Sequence, residues 1–359
     1  MTTPHTIPML QVSGSHREVG AQIAEACADT ILQAVGFPDS EIPEGRTRAD
    51  QLELAAKFRE ITSPAYPWYM EEIEGAAEAL DVDPLALFAC MIEEIWYEPY
   101  GRKLEGRCTD LVAVAPATAD GRVLVAHNND MPRAYQDQLV AIEWRIPGDP
   151  VVMSIGNGIW MSAGWNSTGL SFTGNELAPL DERVGIPREI QFRSILRQPS
   201  MGMAVGEALR HDRASSYNNV IVSRDEVVNV EGSATDAELT DPDDRGHLVH
   251  TNHYVSERMQ KYEGDPEYAP QSDARYRRAA ELLASAEPGS ITVEAMRTFL
   301  SDHEGAPTSI CRHPELYPDA ATRSATAFWC IADVGEMNVT FGRGNPCDSV
   351  AQEYAFSAA

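Results

Sequence analysis

The chain has 359 residues, 43% of them hydrophobic, and a formal net charge of −27. One core stops growing at roughly 250–300 residues, so we expect one large domain with an appendage or two closely packed lobes. The charge excludes nucleic acid and anionic membranes as partners, because both require a basic surface. The N terminus has no signal-peptide pattern, and no stretch is apolar enough to span a membrane. We therefore expect a cytoplasmic protein whose six cysteines are reduced.

The first hundred residues have the periodicity of helices. Apolar side chains recur at helical spacing over 19–31, 73–80 and 85–92. Asp83 precedes Pro84, which is typical of a helix N-cap followed by proline at the first helical position. These signals predict a helical hairpin over about 66–97.

From residue 108 the pattern changes to strands. Two strand-like segments flank Asp120-Gly121, a strong signal for a β-hairpin. Several later strands are continuously apolar, which indicates sheets covered on both faces. Antiparallel hairpins interrupted by helices predict a layered α+β fold. Further turns are predicted at 147–150, 166–168 and 224–226, helices at about 186–211, 272–286 and 292–303, and late strands in "SATAFWCIADV" and "NVTFG".

Cys108 opens the first predicted strand directly after the helical part. A cysteine that cleaves amides needs a base for its proton and donors for the oxyanion. Its own α-amine, freed by a cut just before it, would have a pKa of roughly 7.7–8.0 and could serve as that base. If Asp120-Gly121 forms the turn, Asp130 lies at the same end of the hairpin, offset by about three residues or ~10 Å. A bulge or bend would then have to bring its carboxylate to the amine.

Several short motifs occur in an order that resembles a known family. The motifs are "GSHREVGAQIAEA", the helical stretch 69–94, "CTDL" at 108–111, "GRVLVAHNND", "GWNSTGLSFTGN" at 164–175, "VHTNHY" at 249–254, "SICRHP" at 309–314 and "GNPC" at 344–347. Over nearly the whole chain, their order resembles the isopenicillin-N (6-aminopenicillanate) acyltransferase-like family of self-processing cysteine N-terminal-nucleophile (Ntn) hydrolases.

The resemblance implies a four-layer αββα sandwich of antiparallel sheets with a helical N-terminal segment. It also implies self-cleavage between Arg107 and Cys108, which gives an α-chain or propeptide of 1–107 and a catalytic β-chain of 108–359. We expect the two chains to stay associated and leave a homo-oligomer open. Arg107 stands where the penicillin enzyme has glycine, and its narrower conformational range bears on the efficiency of the cut.

The same resemblance assigns roles to five residues. Cys108 would be the nucleophile and Asp130 would hold the new α-amine. Asn252 would bind the oxyanion, Arg312 would favour the thiolate, and Asn166 would line the same pocket. The competing interpretations are a small buried thiol, a hairpin-end carboxylate, a surface ion pair for Arg312 and an ordinary turn residue for Asn166.

The expected substrate is a small N-acyl amide or acyl thioester, processed through a Cys108 thioester. Water as acceptor would make the protein an amidase, and an amine would make it an acyltransferase. No metal or cofactor is expected. Asn175, Trp165 and Tyr254 are candidates for substrate binding, although aromatic residues at such spacing are more often part of a core.

Two alternatives use other features of the chain. His247, His250 and His253 could hold the metal of a hydrolase, with Asp130 or His127 as extra ligands. The segment is predicted as a strand, however, and a spacing of three puts successive histidines on opposite faces. The second alternative is an uncleaved binding protein of the same fold without catalytic activity.

Overall fold

Two β-sheets stacked face to face form the centre of the molecule. The computed structural model describes residues 6–37, 42–96, 107–313, 315 and 324–356. The inner faces of both sheets meet in one apolar layer, to which Val112 and Phe328 contribute from one sheet and Met153 and Val220 from the other. None of the described helices is long and apolar enough to cross a membrane.

The larger sheet has eight described strands and is antiparallel except at one edge. That edge is the first strand of the chain, which pairs in parallel with the fourth. In spatial order the strands are β1 (Met9–Ser13), β4 (Val140–Arg145), β5 (Val152–Gly156), β6 (Met161–Asn166), β7 (Ser171–Asn175), β8 (Asn218–Val222), β9 (Val227–Gly232) and β10 (Ala237–Thr240).

The smaller sheet contains the strand that Cys108 opens. All its described pairs are antiparallel. In spatial order its strands are β11 (His247–His250), β2 (Arg107–Ala113), β3 (Leu124–Pro132), β12 (Ser324–Asp333), β13 (Asn338–Arg343) and β14 (Gln352–Ala355).

Helices cover the outer faces of both sheets. The helices are α1 (His16–Ala26), α2 (Ala28–Val35), α3 (Arg48–Ala65), α4 (Pro67–Leu80), α5 (Pro84–Cys90), α6 (Arg188–Leu196), α7 (Met201–Ala208), α8 (Ala269–Ser285) and α9 (Val293–Leu300). Side chains of α1, α6 and α7 pack on the eight-stranded sheet, and those of α8 and α9 pack on the six-stranded sheet. The predicted α+β fold with four layers is therefore confirmed.

The N-terminal helices follow the sequence signals closely. The Asp83 carboxylate accepts a hydrogen bond of 2.9 Å from the Leu85 N–H, which confirms the N-cap before α5. Helices α1 and α4 cross with almost no side chain between them. A Cβ atom on Gly20 would lie 2.0 Å from the carbonyl oxygen of Glu72, so this crossing requires glycine.

The register predicted for the β2–β3 hairpin is wrong. Asp120 and Gly121 do turn the chain with positive φ angles of 58° and 68°. The ladder, however, starts only at the pair Ala113–Leu124, because Val114 leaves β3 and donates its N–H to the Gly246 carbonyl. The wider connection removes the predicted offset of three residues between Cys108 and Asp130.

Three strands were not predicted. The segments β1, β10 and β14 are short, and each lies at or next to an edge of its sheet. Most of their residues are exposed or half-buried, so they lack the apolar run that indicated other strands of the same length.

Phe328 tests the packing between the sheets. Its ring is fully buried in the inter-sheet layer. We expect Phe328→Ala to lower the free energy of unfolding by about 3–5 kcal/mol, because the substitution leaves a cavity. Denaturant titration measures this loss. Leu239→Ala, at a β10 side chain that is 47% exposed, is the control and should change stability by less than about 0.5 kcal/mol. Equal effects of the two substitutions would contradict the described packing.

Candidate active site

The Cys108 thiol lies between the two sheets at one end of β2. Cys108 is 4% exposed and stands directly opposite Asn129. The Asn129 side-chain amide donates to the Cys108 Sγ at 3.4 Å and to the Ser162 Oγ at 2.5 Å. Ser162 is the unpaired residue at the irregularity between β5 and β6. The bulge thus directs a β6 side chain toward the site, a common use of bulges.

The backbone of Cys108 is held by Asn252. Strand β11 ends with His250 opposite Asp110, so Asn252 follows beside Cys108. Its side-chain oxygen accepts hydrogen bonds of 2.8 Å from the Cys108 N–H and from the Arg275 guanidinium, while its amide nitrogen donates to the Glu176 carbonyl. These partners fix the amide orientation, because a flipped amide would point its N–H groups at two donors. Asn252 is therefore an acceptor for the Cys108 peptide N–H, and the amide nitrogen expected to bind the oxyanion donates to Glu176 instead.

Arg275 is a site residue that the sequence did not reveal. It lies on α8, is 1% exposed and also donates to the Cys108 carbonyl oxygen at 2.5 Å. Arg275 therefore holds the Cys108 backbone from the outer face of the sheet, on which α8 packs, whereas the thiol lies on the inner face. Nothing in the local pattern distinguishes it from Arg277 and Arg278, the two other arginines of α8.

Asp130 stands opposite Arg107, one register position from Cys108. Its carboxylate is fully buried, accepts a hydrogen bond of 2.8 Å from the Thr326 hydroxyl and lies 3.9 Å from the Arg312 guanidinium. Burial raises the pKa of Asp130, and the charges of Arg312 and Arg275 act against this shift. The side chain shares the outer face of the sheet with Asn128, which donates to carbonyls at the end of α9 and beyond it. Asp130 thus borders the Cys108 backbone and not its thiol.

Two further polar residues flank the thiol. His127 and Asp110 are opposite each other on β3 and β2, both fully buried, with Nδ1 and Oδ1 2.9 Å apart. They share the inner face with Cys108 because strand side chains alternate. The sequence had suggested His127 only as an extra metal ligand. Its contact with Asp110 depends on the register of β2 and β3, which the sequence did not predict correctly.

The histidine and the thiol influence each other's protonation. Burial raises the pKa of Cys108, while a hydrogen bond with His127 and its charge act to lower it. Burial lowers the pKa of His127, but Asp110 and then Cys108 outweigh it and raise the value to about 10. The pair therefore holds a proton on the imidazole beside the sulfur.

Asn166 lies away from this group. Its amide donates to the carbonyls of Leu196 and Gln198 at 2.9 Å each, and its oxygen accepts from the N–H groups of Thr168 and Leu170. These contacts are those of a turn residue. Asn166 is four residues beyond Ser162 on β6, or about 13 Å along the strand.

The three predicted substrate-binding residues make packing contacts or hydrogen bonds with other residues of the fold. Trp165 belongs to the apolar layer between the sheets. Tyr254 is 2% exposed and donates its hydroxyl to the Gly232 carbonyl at 2.8 Å. Asn175 is nearer to the site, since its neighbour Glu176 accepts from Asn252. Its side-chain oxygen lies 3.1 Å from the Nδ1 of His250.

The three histidines of the metal-hydrolase alternative have separate partners. His250 contacts the Glu231 carboxylate at 2.8 Å, and His253 contacts the Ser272 hydroxyl at 2.8 Å. His247 is only partly buried at the start of β11. Among the described residues these histidines do not form a group with metal-ligand geometry.

One described cavity of about 60 Å³ lies elsewhere. It is bounded by α1, α4 and the outer face of the eight-stranded sheet, and Ile23, Tyr69 and Trp144 are among its lining residues. Cys108, Asp130 and Asn252 do not line it.

Residues 117–345 match the model of a family described as acyl-coenzyme A:6-aminopenicillanic acid acyl-transferase. The match covers more than half of the chain. The chain belongs to this family. The resemblance predicted from the sequence motifs is therefore confirmed. The matched segment includes Asp130, Asn252 and Arg312 but starts after Cys108.

The comparison with solved structures also gave matches. A variant of conjugated bile acid hydrolase from Clostridium perfringens is 13% identical, with 70% of this chain and 98% of that chain covered and a TM-score of 0.47. Penicillin V acylase from Agrobacterium tumefaciens is 12% identical, with 68% and 84% covered and a TM-score of 0.44. No curated protein sequence matches the chain.

The His127–Asp110 pair predicts a pH dependence of stability. The pKa of His127 rises from 6.5 to about 10 on folding. The folded state thus binds the proton more tightly, and the resulting stabilisation is fully present below pH 6.5 and is lost as the pH rises through about 10. The slope from this group is at most about 1.4 kcal/mol per pH unit.

Denaturant titrations of wild type and His127→Gln over this pH range measure the effect. The difference in free energy of unfolding between the two proteins should shrink toward high pH. A difference that stays constant would show that the imidazole is not paired in this way.

Proposed function

We propose that the protein is a cysteine-dependent amidase or acyltransferase that acts on a small N-acyl amide or acyl thioester. In this proposal the chain is first cut between Arg107 and Cys108, and Cys108 then carries the acyl group as a thioester. The observation that carries the proposal is the setting of Cys108, whose thiol faces Asn129 and His127 and whose nitrogen is bound by Asn252. The family name, with its thioester donor and amine acceptor, supports acyl transfer.

The first cut needs a base other than the Cys108 nitrogen. In the uncut chain this nitrogen is a peptide N–H that donates to Asn252. A peptide nitrogen does not accept protons at neutral pH, whereas an imidazole does, and Asp110 stabilises the protonated form of His127. His127 holds the thiol proton as an imidazolium, and the Cys108 thiolate attacks the carbonyl carbon of Arg107.

The peptide bond is then exchanged for a thioester. The bond between the Arg107 carbon and the Cys108 nitrogen breaks, and the proton held by His127 passes to that nitrogen. One water molecule hydrolyses the thioester, leaving a carboxylate on Arg107 and a free thiol and amine on Cys108. The Arg107 guanidinium lies 3.7 Å from the centre of the Tyr268 ring, a contact that fixes the residue before the cut.

After the cut the new amine is the base for turnover. An α-amine has a pKa of about 7.7–8.0, close to working pH. The Asn252 oxygen is positioned to accept from it, and the Asp130 carboxylate lies at the adjacent register position. The Arg312 charge beside Asp130 favours the anionic form of that carboxylate and so acts against the effect of burial.

Turnover repeats the same bond changes on the substrate. The Cys108 thiolate attacks the acyl carbon, and the Asn129 amide, 3.4 Å from the sulfur, is a donor for the oxyanion. The leaving amine takes a proton from the α-amine. Water then releases the acid, or a second amine takes the acyl group.

The N-terminal piece is expected to remain bound after the cut. Its strand β1 is part of the eight-stranded sheet through β4. The buried Arg188 guanidinium donates to the Glu93 carboxylate at 2.5 Å, and the Arg188 N–H donates to Glu94 at 3.0 Å. These contacts favour a complex of two chains over a released propeptide.

Cleavage is tested by intact mass and N-terminal sequencing of the purified protein. Wild type should yield a chain that begins at Cys108, and Cys108→Ala should stay whole because the attacking sulfur is missing. His127→Gln should be cut more slowly if the imidazole is the first base. A panel of N-acyl amides and acyl thioesters, with and without a thiol-blocking reagent, then measures turnover.

Two results would contradict the proposed role of Cys108. A wild type that stays whole and turns over nothing in the panel would favour the non-catalytic binding protein. Turnover that survives both Cys108→Ala and thiol blocking would remove Cys108 from the mechanism.

Two asparagines that looked equivalent in the sequence should differ in kinetics. Asn252→Ala removes the acceptor of the Cys108 nitrogen and leaves the Arg275 charge partly unpaired. We expect turnover to fall about 10²–10³-fold, the loss typical of a preorganised polar group. Asn166→Ala is the matched control, measured at a temperature where both variants are folded, and should keep a kcat near that of wild type. Similar losses in both would contradict the described positions.

A further inference from the structure

Four side chains from three separate segments converge beyond the end of α9. His303 follows α9, Cys311 and His313 precede β12, and Cys347 follows β13. One potential ligand atom of each lies within 4.8 Å of all the others. The cluster is defined here by these four residues, and the acyl-transfer chemistry proposed above uses none of them.

Four of the six distances between the ligand atoms are close to the edges of a zinc tetrahedron, and the other two are no longer than 4.8 Å. The two sulfurs are 3.8 Å apart, the His313 Nε2 lies 3.6 Å from Cys311 Sγ and 3.4 Å from Cys347 Sγ, and the two Nε2 atoms are 3.0 Å apart. Zinc–sulfur bonds of ~2.3 Å and zinc–nitrogen bonds of ~2.0–2.1 Å give edges of about 3.8 Å, about 3.6 Å and about 3.3 Å for the same three kinds of pair. The observed distances therefore leave room for one ion at the centre.

Groups around the cluster are those that usually support bound zinc. The other nitrogen of His313 lies 3.1 Å from the Glu315 carboxylate. Carboxylates in this position orient a metal-bound imidazole and increase its basicity. The Asn345 amide donates to the Cys311 sulfur at 3.3 Å, as expected of a donor to a thiolate. Both contacts leave the inward-facing ligand atoms available.

We propose that His303, Cys311, His313 and Cys347 bind one Zn²⁺ ion in a closed structural site. Two sulfurs and two imidazoles are a donor set that selects zinc over the harder Mg²⁺ and Ca²⁺. All four positions are filled by protein, so no position remains for water or substrate. Binding releases the two thiol protons as the cysteines become thiolates.

The ion would connect the cluster to the candidate active site. Arg312 lies between Cys311 and His313 in sequence. Its backbone N–H donates a hydrogen bond of 3.0 Å to the Thr326 hydroxyl. That hydroxyl in turn donates to Asp130. Zinc thus fixes the segment from which Arg312 reaches the buried carboxylate.

The first measurement is the metal content of the full chain. Protein purified under reducing conditions, without chelator, is analysed for metals by mass spectrometry. We expect about one zinc per chain in wild type and a loss of zinc in Cys347→Ser and in His303→Asn. Cys27→Ser and His211→Asn, which change a cysteine and a histidine outside the cluster, are the matched controls and should retain it.

The second measurement does not depend on any variant. Replacing zinc by Co²⁺ should produce thiolate-to-cobalt charge-transfer absorption and the intense visible bands of a tetrahedral ion. X-ray absorption of the zinc form should fit two sulfurs at ~2.3 Å and two nitrogens at ~2.0 Å.

Three results would overturn the proposal. They are wild type without stoichiometric zinc and without the cobalt bands, a Cys311–Cys347 disulfide in peptides from wild type, and zinc retained in full by Cys347→Ser or His303→Asn. None of these readouts involves turnover, so such a failure would leave the proposed acyl transfer standing.

Discussion

The pairing of β2 with β3 is the constraint on which the candidate site depends. Cys108 opposite Asn129 and Asp110 opposite His127 put four polar side chains on the inner face of one sheet. The same register puts Asp130 opposite Arg107, on the outer face. A slip of one residue would exchange the two faces and remove the thiol from its neighbours. One ladder thus assigns the sulfur, the imidazole and the carboxylate their different surroundings.

This arrangement is costly for the folded state. Asp110 Oδ2 and Asn129 Oδ1 are buried and have no hydrogen-bond partner among the described residues. Buried polar groups without partners usually cost about 1–3 kcal/mol each. Such costs concentrate where structure serves chemistry. The apolar layer continues directly beyond the polar end of the strands, with Val112 and Val125 on the same face, and it supplies the burial that offsets them.

Local patterns made much of the fold predictable. Helical periodicity located α1, α2, α4 and α5, and Asp83-Pro84 marked the start of α5. The turns located the hairpins β4–β5, β6–β7 and β8–β9. The register of β2–β3 was not predicted correctly, because the hydrogen bond from the Val114 N–H to the Gly246 carbonyl joins residues far apart in sequence. The short edge strands β1, β10 and β14 were not predicted, because they form only by pairing with an adjacent strand and their own sequences carry no clear strand pattern.

Some site residues could likewise be predicted from local motifs, whereas others acquire their roles only through tertiary contacts. Cys108 and Asn252 stand in recognisable motifs, and the structure brings them together. Asn166 stands in a motif just as clear, yet its contacts are those of a turn. Arg275 and Asp110 acquire their roles only through tertiary contacts. The cluster of His303, Cys311, His313 and Cys347 is likewise assembled from segments that share no local spacing.

The parallel pairing of β1 with β4 has a practical consequence. A strand from the beginning of the chain is hydrogen-bonded into a sheet built otherwise from residues after Cys108. Any affinity handle fused ahead of β1 would therefore retain the downstream polypeptide on a column even when the backbone between them has been severed. Their separation would require denaturant.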